Sequence, residues 1–295
     1  MNRRKSKLKA RFLYLREFVV RHWGALLLLA GHGLVLLGCL GASAWVTPPS
    51  GAGTQAAAWE PPGPAFPWGT DDAGQDVRQL VLGGVGPPVV FAYSVATLGM
   101  VLALLVGLGT KYYLGESGCR ALRAIRYAVT GLPVLLVSLL VSAVAGGGFW
   151  VTVVAVGVPV VLNSAGWASG WLHTLEAEGH TFAARAAGLS RARVLLAHVL
   201  PLLLPKCALR WAVLVPSLLL VEASLGFAGY GTFDAARPDV VPWGRLLAEG
   251  RAVLFEAPWL VGHAGAALTG TLLFLALLAW ALHRVIKEDL TVPPL

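Results

Sequence analysis

The stretch from Glu178 to Pro201 carries the densest chemistry in the chain: Glu-Gly-His-Thr-Phe-Ala-Ala-Arg-Ala-Ala-Gly-Leu-Ser-Arg-Ala-Arg-Val-Leu-Leu-Ala-His-Val-Leu-Pro. Ala183, Ala184, Ala186, Ala187 and Gly188 predict a short helix whose sides are nearly all backbone, so another protein's groove can close on it. Gly188 can end that helix, because glycine readily takes the left-handed conformation. Arg185, Arg191 and Arg193 stay at an aqueous surface, and Pro201 falls in the first turn of the next helix, where its missing N–H costs least. A plain short helical loop accounts for the same composition. Farther on, Lys206 and Arg210 stand one turn apart, placed either to snorkel to a membrane interface or to serve a gate. Glu222 is read as a helix-terminal contact or a substrate-binding carboxylate. His32 and His263 sit alone among apolar residues and are expected to be packed or hydrogen-bonded. His173, Glu176, Glu178 and His180 are ligand types, but their order is not HExxH, and no metal is expected there. Cys39, Cys119 and Cys207 are far apart and form no CxxC or ligand spacing.

Composition decides the frame that holds these groups. The 295 residues are 57% hydrophobic and only 13% charged, with a mean hydropathy of +0.71, whereas ordinary globular domains carry roughly 25% charged residues. A soluble fold would leave much of that apolar surface in water, so the chain is read as all-α and polytopic, with membrane lipid as its solvent. Disulfide scaffolds, coiled coils, disordered chains and freely soluble enzymes are set aside. Apolar stretches near the roughly 20 residues needed to cross a bilayer lie at about 24–46, 88–109, 124–145, 149–171, 199–221 and 259–282. They predict six transmembrane helices. Leu36-Leu37-Gly38-Cys39 looks like a lipoprotein cleavage site, but the long basic region before it and the apolar stretches after it favour an uncleaved first span.

Charge placement orients the spans. Arg3, Arg4, Lys5, Lys7, Lys9, Arg11, Arg16 and Arg21 crowd the N-terminus and stop against an apolar segment, the mark of a cytoplasmic flank rather than a nucleic-acid tail. With the N-terminus inside, the cytoplasmic segments hold 17 basic residues and the outer ones 4, Lys206 and Arg210 lying within the fifth span. Both termini are therefore expected inside. The expected organisation is a basic N-terminus at 1–22, a first span at 23–46 and an extracytoplasmic segment at 47–87. A five-helix core at 88–282 follows, with an inner loop at 172–198 and an outer segment at 223–258, and the tail is 283–295. In the first outer segment Thr70 is expected to cap a short helix with Asp71 and Asp72 in its first turn. The second, mixing glycine, aromatics and short apolar runs, is expected to be partly buried, re-entrant or interfacial.

The inner loop resembles the coupling loop of ABC importer permeases, summarised as E-A-A, three residues, G, with a downstream L-P. Ala183-Ala184-Arg185-Ala186-Ala187-Gly188 and His198-Val199-Leu200-Pro201 carry that resemblance. Three further segments narrow it to the oligopeptide, dipeptide and nickel permease family. Gly69-Thr70-Asp71-Asp72-Ala73-Gly74-Gln75-Asp76-Val77 is similar to that family's GTDxxGxDV segment. Glu222-Ala223-Ser224-Leu225-Gly226-Phe227-Ala228-Gly229-Tyr230-Gly231 is similar to its EASLSFLGLG segment, and Pro242-Trp243-Gly244 and Ala257-Pro258-Trp259 follow. Each block is modest; their order between residues 69 and 259 is specific.

The resemblance implies a type I ABC importer permease, N-in and C-in, that pairs with a second homologous permease. It implies a cytoplasmic ABC ATPase docked on Phe182, Ala183, Ala184, Arg185, Gly188, Arg191, Arg193 and Pro201, and an extracytoplasmic substrate-binding protein. Lys206, Arg210 and Glu222 are the possible pathway or gate residues. The chain has no G-x-x-x-x-G-K-[ST], so ATP and Mg belong to the ATPase, and no cofactor and no catalytic residue are expected here. Phe182 stands where the family has an acid. It weakens coupling, shifts a polar contact to Glu176 or Glu178, or instead fills an apolar groove on a matched ATPase. The basic C-terminal ending is poorly reproduced around His283-Arg284-Val285-Ile286-Lys287, which suits a diverged member of a heterodimer. Peptides are the expected cargo; a stand-alone channel and a membrane-embedded enzyme are the alternatives.

Overall fold

The structure, a computed structural model, describes residues 23–24, 27–43, 57–177, 184, 186–232 and 240–291, with side chains left out at 176–177, 191–192 and 287–291. Those residues are helical almost throughout. Helix α1 is Leu27–Ser43, α2 is Val77–Gly83, and α3, Gly86–Gly109, runs through a π-turn at Thr110–Leu114 into α4, Gly115–Thr130. Then come α5 (Val134–Ala145), α6 (Phe149–Ala177), the short α7 (Arg191–Val194) with a π-turn at Leu195–Val199, α8 (Leu200–Phe227), α9 (Trp243–Ala252) and α10 (Pro258–Thr291).

Four helical runs are long and apolar enough to cross a membrane: Val77–Thr130, Phe149–Leu175, Leu195–Phe227 and Pro258–Ile286. At 1.5 Å per residue, the 24 residues of α3 reach about 36 Å, past the ~30 Å hydrocarbon core. The apolar helices Leu27–Ser43 and Val134–Ala145 are shorter. The stretch expected to cross as one span at 124–145 is instead divided. Here α4 ends at Gly131, and Pro133 begins the 12-residue α5. Proline disfavours the helical conformation in the residue before it, so Leu132 cannot carry the helix through. The preceding stretch, expected as an inner connection, is the amphipathic α4, on which only Leu122 is buried.

The main core joins α2, α3, α6, α8, α9 and α10 through residues such as Val77, Phe91, Val156, Leu219, Leu246 and Leu260. Leu98, Leu105, Leu140, Leu273 and Leu277 are exposed on the outside of the bundle, the arrangement expected where lipid replaces water. Pro159 in α6 and Pro205 and Pro216 in α8 leave these helices unbroken; in lipid, neighbouring helices re-satisfy the freed backbone groups. Ahead of α8, Pro201 removes one backbone donor and crowds the turn before it, and the chain widens there into the Leu195–Val199 π-turn.

Candidate functional site

Two regions gather the residues singled out above, one at each end of the bundle. At the end that carries the 184–211 stretch, Ala184 is buried with Leu172, Leu175, Val194, Val199 and Leu203. Ala186, Ala187 and Gly188 are exposed. Gly188 takes φ +80°, and the Leu189 N–H donates to the Ala184 carbonyl at 3.3 Å. This is the six-residue closure of a Schellman motif, which glycine suits because it carries no Cβ. The small residues therefore divide: Ala184 packs inward, and the Ala186–Gly188 edge faces out. Arg193 is exposed, residue 191 opens α7, and Pro201 lies in the first turn of α8. Phe182, Ala183 and Arg185 lie outside the described residues, as do Glu178 and His180.

Lys206 and Arg210 do not simply reach for the interface. Lys206 Nζ lies 3.7 Å from the centroid of the Trp171 ring, and the Arg210 guanidinium carbon lies 5.3 Å from that of Trp167. Arg210 Nε also donates to the buried Ser164 Oγ at 3.2 Å. Two cations one turn apart on α8 thus meet two tryptophans one turn apart on α6, a match of i, i+4 rows. The four-residue spacing shared by Trp167/Trp171 and Lys206/Arg210 is the signal that could have paired them from sequence. At the very next residue, Trp211 Nε1 donates to Thr97 Oγ1 at 3.0 Å, and its ring lies 5.2 Å from that of His32. His32 is buried, its ring nitrogen 3.2 Å from the Leu28 carbonyl, and its own carbonyl accepts from Tyr93 Oη at 3.0 Å. It packs, as expected of a lone histidine in an apolar span.

At the opposite end, the Gly69–Val77 block closes on itself and on two distant segments. Thr70 is fully buried; its hydroxyl accepts from the Glu60 N–H and donates to the Ala57 carbonyl, both at 2.8 Å. It is not the helix cap expected for it. Asp76 takes that place, its carboxylate accepting from the Arg78 N–H at 2.8 Å. Asp71 instead accepts from the Ala73 and Gln75 N–H groups at 3.0 and 2.7 Å, closing an Asx-type turn. Trp259 Nε1 donates to the Thr70 carbonyl at 3.1 Å, and Trp243 Nε1 to the Val81 carbonyl at 2.7 Å. Gly69 has φ +75°, and a Cβ there would sit 2.5 Å from Trp259 Nε1, so only glycine lets the tryptophan approach. His263 stacks on Trp68 with centroids 4.6 Å apart. Trp259→Phe keeps an aromatic ring but loses the indole's second ring and its one hydrogen bond; it is expected to cost about 1 kcal/mol or more, read as a drop of a few degrees in the thermal midpoint in detergent.

Glu222, near the end of α8, is fully buried. Its Oε1 accepts from the Thr232 hydroxyl at 2.6 Å and the Thr232 N–H at 3.2 Å. The neighbouring Gly231 carbonyl accepts from Thr152 Oγ1 and the Gly148 N–H, both at 3.2 Å. The carboxylate thus holds the turn after α8, which is tied in turn to the start of α6. Among the described residues, no three His, Cys, Asp or Glu side chains converge as they would around a metal ion.

No family model matches the chain. It is 27% identical over 234 residues, 79% of its own length and 77% of the other's, to a Brucella suis protein named for a peptide transport system permease. It is 25% identical over 246 residues, 83% and 77% of the two chains, to the di/tripeptide transport system permease protein of Pseudomonas aeruginosa. To the glutathione transport system permease protein of Pectobacterium atrosepticum it is 27% identical over 199 residues, 68% and 64% of the two chains. The chain is therefore a distant homologue, over most of its length, of the permease subunits of peptide ABC transport systems.

Proposed function

We propose that this chain is one permease subunit of a type I ABC importer for peptides or a related small solute, resident in the bacterial inner membrane. The similarity to peptide permeases across most of the chain carries the reading. In it, six spans cross the membrane, α5 together with the end of α4 making the one at 124–145, with 1–22 and 283–295 inside and 47–87 and 223–258 outside. The first span is 23–46, and the core is 88–282. A second homologous permease completes the translocation pathway, and an extracytoplasmic binding protein delivers cargo to the outer segments.

A cytoplasmic ABC ATPase docks on the 172–198 loop. Phe182, Ala183, Ala184, Arg185, Gly188, Arg191, Arg193 and Pro201 form or position the docking surface, and the exposed Ala186–Gly188 edge supports that reading. ATP closes the ATPase dimer, the loop follows as a rigid body, and the bundle alternates between inward and outward access. ATP and Mg stay in the ATPase. Lys206 and Arg210 lie about two and three turns beyond the loop, where a shift of α8 against α6 would carry their tryptophan contacts with it. Glu222 holds the outer end of the same helix, so α8 spans the distance between the loop and the outer turn.

Affinity purification of the intact chain in mild detergent tests this. Recovery of a second permease together with an ATPase, whose activity rises when the binding protein is added, is the expected result. A stable homo-oligomer with no ATPase would overturn it in favour of a stand-alone channel or a membrane enzyme.

A further inference from the structure

We propose that the cavity between α4 and α6 binds the phosphate group of an anionic phospholipid. Its volume is about 450 Å³, and Arg120, Arg123 and Arg126 of α4 and Lys111 of the π-turn line it. The three arginines recur at i, i+3 and i+6, so one face of the helix carries them together. Arg126 sits against Gly166 of α6, while Arg120 and Arg123 are exposed where they line the cavity. Among the described residues lining the cavity, Glu116 is the only acid, and none of the three arginines forms an ion pair with a described carboxylate. Arg126 Nε is buried without a hydrogen-bond partner. Guanidinium groups match a phosphate geometrically, and three on one cavity wall offer it several charged donors.

The opposite wall leaves room for one. Gly166, Ser169 and Gly170 of α6 line it; a Cβ on Gly166 would meet Arg126 Cδ at 2.7 Å, and one on Gly170 would meet nothing within 4 Å. Tyr113, Leu114 and Tyr127 are exposed beside the cavity, and exposed tyrosines at the end of apolar helices mark headgroup depth. Basic pockets between membrane helices on the cytoplasmic side take anionic headgroups. Placing the cavity on that side rests on the N-in topology proposed above.

The test is native mass spectrometry of the purified, delipidated full chain titrated with dioleoylphosphatidylglycerol or dioleoylphosphatidylcholine. One saturable phosphatidylglycerol site is expected, lost on the order of a hundredfold in affinity in Arg120→Ala/Arg123→Ala/Arg126→Ala. Gly170→Asp, which puts a competing carboxylate into the open wall, should lose the site while the thermal midpoint holds. Arg251→Ala/Arg284→Ala, charges elsewhere, should keep it. Inorganic phosphate at millimolar concentration should leave lipid binding intact; displacement by it would make the site one for free phosphate and overturn the lipid assignment. Unchanged phosphatidylglycerol binding in the triple variant would also overturn it. Lipid binding is read on this chain alone, so its failure is distinguishable from failure of the importer reading.

Discussion

Replacing Ala187 with glutamate is expected to cut ATPase co-purification at least about tenfold and to abolish transport, with the thermal midpoint of the chain unchanged. The expectation follows from how the loop divides its small residues. Ala184 is buried against Leu172, Val194 and Leu203, so a large residue there would damage the permease's own packing, and loss of ATPase would carry no information about docking. Ala187 is exposed, one residue before the left-handed Gly188 that closes the helix. A side chain added at Ala187 projects into whatever closes over that edge. Where a partner's groove is fitted to nearly bare backbone, four more heavy atoms and a charge cannot be accommodated without separating the surfaces. A central, desolvated contact of this kind is worth ~2 kcal/mol or more, which is more than tenfold in affinity. Pull-down of the ATPase with purified Ala187→Glu, beside thermal unfolding of the same preparation, reads both quantities. ATPase retained at the native level would remove this edge from the interface.

The sequence made the helical, lipid-solvated character and the family resemblance legible, because both rest on patterns that are local or survive in order. Apolar runs mark α3, α6, α8 and α10, and Pro201 is found in the first turn of α8. The misread places are those where one residue overrules a window or where partners are distant in sequence. Hydropathy over 124–145 averages across Gly131 and Pro133 and so reports one span where the backbone breaks. Thr70 has the side chain of a helix cap, and Asp76 took that place because Thr70 is drawn into bonds with Ala57 and Glu60. The outer cluster was visible only as separate blocks. The bond from Trp259 to Thr70 spans 189 residues and that from Trp243 to Val81 spans 162, and nothing in either local pattern names the other. The cation–tryptophan ladder between α6 and α8 leaves only its shared four-residue spacing in the sequence, since snorkelling describes a lone cation at an interface and takes no account of the facing helix.

Gly244→Val is expected to be among the most damaging single changes in the outer half of the chain, at ~3 kcal/mol or more. At Gly244 the helices α8 and α9 touch backbone to backbone: a Cβ there would lie 2.2 Å from the Ala223 carbonyl oxygen. No rotamer change relieves that contact, because the atom in the way belongs to the main chain of α8. Facing it, Gly226 lies so close that its own Cβ would be 3.3 Å from Gly244 Cα. Paired small residues of this kind are how helices in lipid gain packing contact where no hydrophobic driving force separates helix from solvent. Valine would push α9 outward, and the displacement would reach the neighbouring Trp243, whose indole donates to Val81 at 2.7 Å, and thereby α2. Gly270→Ala is the matched control, since a Cβ on Gly270 meets nothing within 4 Å; mid-helix alanine in place of glycine is expected to be neutral or to stabilise by up to ~1 kcal/mol. In the same detergent, the thermal midpoint should fall and the size-exclusion profile broaden for Gly244→Val, while Gly270→Ala keeps or raises the midpoint. A Gly244→Val chain as monodisperse and as stable as the native one would show that α8 and α9 do not meet at this crossing.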